Sequence, residues 1–118
     1  MSERPDYLAM AQEVKAMAAQ VVPRYHGEAR DEVALIFEDI QSSLELADTI
    51  ARRVRGAEID GVTMTETDFR SAIPNLKHYE VDPAVIQRFE EMRSAINAWK
   101  GELRARGQAP SGPASPPL

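Results

Sequence analysis

Apolar residues recur at alternating spacings of three and four in three separate stretches of this chain, and that recurrence restricts the fold more than any other feature. The first stripe is Tyr7, Met10, Val14, Met17 and Val21; the second is Val33, Phe37, Ile40, Leu44, Ala47, Ala51 and Val54; the third is Val85, Phe89, Met92, Ile96, Trp99 and Leu103. An α-helix turns once every 3.6 residues or so, roughly the mean of that spacing, so each stripe gathers on one side of a helix and must be covered by a neighbour. The fold class expected is all-α.

Stops and starts divide the chain. Pro5 and Asp6 suit the first turn of a helix, and Pro23 ends it, giving a first helix over about residues 5–22. After a short connection a second helix is expected from about Glu28 to Arg55, closed by Gly56. At about 1.5 Å per residue it is roughly 40 Å long, the expected spine of a small domain by length alone. Residues 57–64 read as a loop turning at Asp60-Gly61, followed by a short helix from about Thr65 to Ile73 that Pro74 breaks. Asp82-Pro83 is the clearest start, an N-cap acceptor followed by proline at the first helical position, and opens a last helix to about Arg106. The expected architecture is a bundle of three long helices and one short one, packed near antiparallel because the connections are short. Residues 1–106 are expected to form this domain, and residues 107–118, Pro-rich and without charge, are expected to form a disordered tail.

Composition narrows the function classes. Hydrophobic content of 43% with 28% charged residues is that of a folding domain, not of a disordered chain. The chain has no cysteine, which removes disulfides, thiolate metal sites and cysteine nucleophiles. A net charge of −5 repels phosphate backbones and anionic lipid, so neither nucleic acid nor membrane is an expected partner. With no apolar run of membrane-spanning length and no secretory signal pattern, the expected location is the cytoplasm, leaderless secretion being left open.

Carboxylates on the second helix supply the one candidate for metal chemistry. Glu38, Glu45 and Asp48 lie on one polar stripe and offer the oxygen ligands that a divalent cation takes. The bland reading is a solvated face tied by the Asp48 to Arg52 pair. Glu45-Leu-Ala-Asp48 resembles the second half of the metal motif of all-α nucleotide pyrophosphohydrolases; the glutamate-rich first half has no counterpart on the first helix, which offers Glu13 alone. The helix order over residues 28–106 also resembles that of all-helical chorismate mutases in topology, but the lysine and glutamine of that pattern are not in place. Trp99-Lys100-Gly101 resembles the three-residue signature of helical-hairpin proteins of type VII secretion, displaced from the central turn to the end of the last helix. His26 and His78 fall in connections and read as surface residues. Pro110 to Pro113 and Pro113 to Pro116 have the spacing read by aromatic-grooved domains, or mark a spacer.

No constellation of nucleophile, base, cofactor or phosphate-binding glycines emerges, and no cofactor is expected. The second helix carries more apolar surface than one seam uses, with Ile36 and Ile50 on one flank and Leu35 and Leu46 further round. The expected function is therefore a non-enzymatic interaction module, an adaptor, chaperone-like or accessory subunit, binding a protein partner or a second copy of itself. Leu35, Leu46, Ile50 and Trp99 are the expected partner-binding residues. Two alternatives are a small all-α enzyme using Glu38, Glu45 and Asp48 with a divalent metal on a phosphorylated substrate, and a secreted or phage-encoded factor acting on a host protein.

Overall fold

The structure is a computed structural model that describes residues 3–109. It is all-helical: α1 spans Tyr7–Val21, a 3-10 turn Val22–Arg24, α2 Gly27–Arg53, α3 Glu58–His78 and α4 Pro83–Ala105. Helix α1 packs on α2, α2 on α3, and α3 on α4. The ion pair between Arg88 and Glu13, with N to O distances of 2.5 and 2.9 Å, links α4 back to α1. Among the described residues no helix is long and apolar enough to cross a membrane.

The three stripes supply most of the core, except Val54, which follows the end of α2 and is exposed. Tyr7, Ala11, Val14 and Val21 are buried on α1, Val33, Phe37, Ile40, Leu44 and Ala47 on α2, and Phe89, Met92, Ile96, Trp99 and Leu103 on α4. Phe37 and Phe69 meet Phe89 edge to face with ring centroids 5.6 and 5.5 Å apart, so one aromatic cluster fastens α2, α3 and α4 together.

The expected loop and short helix are corrected to one helix of 21 residues, α3, so the bundle has four substantial helices. Its buried positions Ile59, Val62, Thr65, Glu66, Phe69, Ile73 and Leu76 do follow helical spacing. The pattern is disguised because polar Thr65 and Glu66 stand in the middle of it. Thr65 Oγ1 satisfies itself by donating to the carbonyls of Gly61 at 2.8 Å and Ser43 at 3.2 Å. Asp60-Gly61 is no turn: a Cβ on Gly61 would sit 3.1 Å from the Ala47 Cα, so the glycine permits α2 and α3 to approach. Ser43 Oγ also donates to Asp68 across this contact. Pro74 lies inside α3 and cannot donate to the Arg70 carbonyl, yet the helix continues. Buried Ile73 and Leu76 on either side of it gain apolar contacts that outweigh the lost bond.

Several helix ends are closed by specific caps. Asp6 and Asp82 cap α1 and α4 by accepting from the amides of Ala9 and Ala84 at 3.0 and 2.9 Å. Helix α3 ends in a Schellman turn: the Val81 amide reaches the Leu76 carbonyl and the Glu80 amide that of Lys77, both at 3.0 Å. Glu80 holds the left-handed position of this turn at φ 54°, where glycine is usual. Helix α4 ends the same way on Gly107, with the Gln108 amide reaching Leu103. Gln108 Oε1 then accepts from the Ile59 amide at 3.2 Å. Gly107 and Gln108, expected in the tail, thus close the bundle, and the rest of that tail from residue 110 lies outside the described residues.

Candidate interaction face

Helix α2 turns Val33, Phe37, Ile40 and Leu44 inward, so residues near the opposite side of its circle face outward. Leu35 and Leu46 fall there, eleven residues apart, which is close to three whole turns and about 16 Å along one stripe. They are 54% and 46% exposed. Beside Leu35 runs a groove of about 290 Å³ between α2 and α3, lined by Glu32, Leu35, Ile36, Asp39, Asn75, His78 and Tyr79. A smaller hollow of about 100 Å³ continues it past Ile40, Asp68 and Ala72. The apolar stripe and the groove form one surface.

The other two expected partner residues are placed differently. Ile50 is half-buried and its Cδ1 packs at Gly61 of α3, because α3 is longer than expected and covers that flank. Trp99 is corrected from docking residue to core residue. It is 3% exposed, and the guanidinium groups of Arg4 and Arg106 lie over its ring at 5.8 and 5.0 Å.

Trp99 takes part in a buried polar cluster that the periodicity does not reveal. Its Nε1 donates to Glu58 Oε2 at 2.9 Å, the Tyr7 hydroxyl donates to the same oxygen at 2.7 Å, and Arg4 donates to Oε1 at 2.6 Å. Glu58 is 5% exposed at the first residue of α3, where the helix dipole favours its charge. Burial, followed by the hydrogen bond to Glu58 and its charge, raises the Tyr7 hydroxyl well above the ordinary tyrosine pKa. The cluster ties α1, α3 and α4 together through side chains of the chain itself. Its sequence signal is indirect: Tyr7 and Trp99 sit on seams, and a buried phenol or indole needs an acceptor.

A second buried carboxylate, Glu66, accepts from Arg70 at 2.6 Å and from Arg93 of α4 at 3.2 Å. The Arg70 bond lowers its pKa, burial opposes this, and Arg93 lowers it further.

The metal alternative is not assembled. Glu38 and Glu45 are exposed seven residues apart on one helix, about 10 Å along its axis, which is too far for one ion. Asp48 is engaged by Arg52 at 2.8 Å. Among the described residues no group of three or more His, Cys, Asp or Glu side chains can hold a metal. His26 is exposed before α2, and His78, also exposed, sits at the end of α3 against the Tyr79 ring. The two proline-spaced motifs of the C-terminus lie outside the described residues.

Comparison of the chain with protein-family models, with curated proteins and with solved structures finds no match.

Proposed function

We propose that this chain is a protein-interaction module that binds through the outer face of α2, acting as an adaptor or accessory subunit and not as a catalyst. The observation that carries the reading is the pair Leu35 and Leu46. Both are large aliphatic side chains, both stand half in solvent, and both lie on one stripe beside an open groove. Covering such a stripe releases water from apolar surface at about 25 cal/mol per Å². The rest of the bundle supports the role by holding α2 rigid along its inner side, so that little order has to be gained on binding.

Photo-crosslinking tests the reading in place. Ser42 is exposed between the two leucines, and Ser94 is exposed on α4. With benzoylphenylalanine introduced at position 42, irradiation in the native host should give a discrete protein adduct that position 94 does not give. Equal labelling from both positions, or none from position 42, contradicts the reading.

A further inference from the structure

We infer that the partner covering this face is a basic amphipathic helix of another protein, not a second copy of this chain. The inference rests on the interaction reading above and specifies what occupies the surface. Around Leu35 the exposed flanks of α2 are acidic on both sides: Glu32 and Asp39 border the stripe toward α3, and Asp31 and Glu38 border it on the other side, while Leu46 has exposed Ser42 one turn before it and exposed Arg53 two turns after it. Among the described residues none of these four carboxylates has an ion pair. The four charges are therefore uncompensated around an apolar centre, and the complementary surface is apolar at its middle and positive along both edges.

Shape and charge together select the occupant. The stripe is straight and about 16 Å long, the length over which a helix presents anchors at i, i+3 or i+4, i+7 and i+11. Lysine or arginine beside those anchors reaches both acidic flanks at once. A second copy using the same face meets it symmetrically, so each residue of one copy opposes the same patch of the other. A register centred on Leu35 sets carboxylate against carboxylate, and the antiparallel register that pairs Leu35 with Leu46 sets these four opposite residues 42, 43, 49 and 50, none of them a cation.

Three synthetic helical peptides of about 18 residues, each with leucines at helical spacing and with Lys, Gln or Glu at all other positions, provide the probes. Titration against the full chain at low salt should give the order Lys, then Gln, then Glu, with the Lys peptide at least tenfold tighter than the Gln peptide and its advantage falling as salt rises. Glu32→Lys with Glu38→Lys should weaken the Lys peptide about tenfold and strengthen the Glu peptide. Leu35→Ser with Leu46→Ser should weaken the Lys and Gln peptides alike. Equal affinity for the Lys and Gln peptides, lost with the leucines, overturns the basic partner while leaving the interaction face standing. A Lys peptide indifferent to the leucines overturns both. So does failure of all three peptides to bind while the chain sediments as a monomer. A dimer that Leu35→Ser with Leu46→Ser dissociates, in a chain that binds no peptide, makes the second copy the occupant and overturns the inference alone.

Discussion

Tyr7 and Trp99, on the first and last helices, donate to one and the same oxygen of Glu58, from 2.7 and 2.9 Å. Two elements at opposite ends of the chain are thus joined through a carboxylate on a third. Replacing Glu58 with Ala strands a phenol and an indole donor in the interior, and each unsatisfied buried donor costs about 1–3 kcal/mol. We expect Glu58→Ala to destabilise the fold by about 3 kcal/mol, and Glu58→Gln, which keeps an acceptor oxygen, by about half that. Urea unfolding followed by the fluorescence of the single tryptophan measures both.

Alkaline pH acts on the same cluster. The folded Tyr7 hydroxyl has a pKa raised far above the ordinary 10.0, by burial first and then by Glu58. Above the ordinary value the unfolded chain releases this proton while the folded chain keeps it, so stability falls as pH rises. Urea midpoints taken between about pH 9 and 11 should decline, and in Tyr7→Phe they should decline less steeply from a lower starting value. An identical slope in that variant contradicts this assignment.

Acid acts through Glu66. Its folded pKa lies below the ordinary 4.5 because Arg70 and then Arg93 favour the carboxylate against the cost of burial. The stabilisation is present above the ordinary value and is lost as pH falls through the lowered one. Both arginines are largely exposed, so solvent screening keeps it small. Glu66→Gln should flatten the acid limb of the stability profile without abolishing it, since Glu13 is lowered in the same way by Arg88.

Glu80 offers a gain. It occupies the left-handed position of the Schellman turn at φ 54°, a conformation that costs an L-residue about 1 kcal/mol and glycine very little. Glu80→Gly should raise stability by up to about 0.5 kcal/mol, the greater backbone freedom of unfolded glycine offsetting part of the relief. A lower midpoint in thermal or urea unfolding contradicts it.

The helices with uninterrupted seams were legible from residue types. Asp82 caps as its position requires, and Phe37, Leu44, Phe89 and Ile96 point inward as their spacing requires, whereas Asp6, read as a charge within the first turn, is the cap that precedes it and Pro5 lies outside the helix. Helix α3 was not legible, because each local signal in it points away from helix. Gly61 reads as a turn until the Ala47 backbone is beside it, Thr65 and Glu66 interrupt the apolar pattern until Ser43 and the arginines satisfy them, and Pro74 reads as a stop. All three gain their meaning from neighbours distant in sequence. The candidate face divides in the same way. Leu35 and Leu46 are placed outside by periodicity alone, whereas Ile50 is half covered by the unforeseen helix and Trp99 follows its own seam into the core, where it meets Glu58.

The most direct measurement compares association of the unaltered chain with that of Leu35→Ser combined with Leu46→Ser, using the protein recovered in the position-42 adduct as ligand. Both side chains are about half exposed, so the double variant should keep its helical circular dichroism and lie within about 1 kcal/mol of the original stability. We expect its affinity to fall at least a hundredfold, about 2.7 kcal/mol. Unchanged affinity in a variant that remains folded would contradict the assignment of this face as the binding surface.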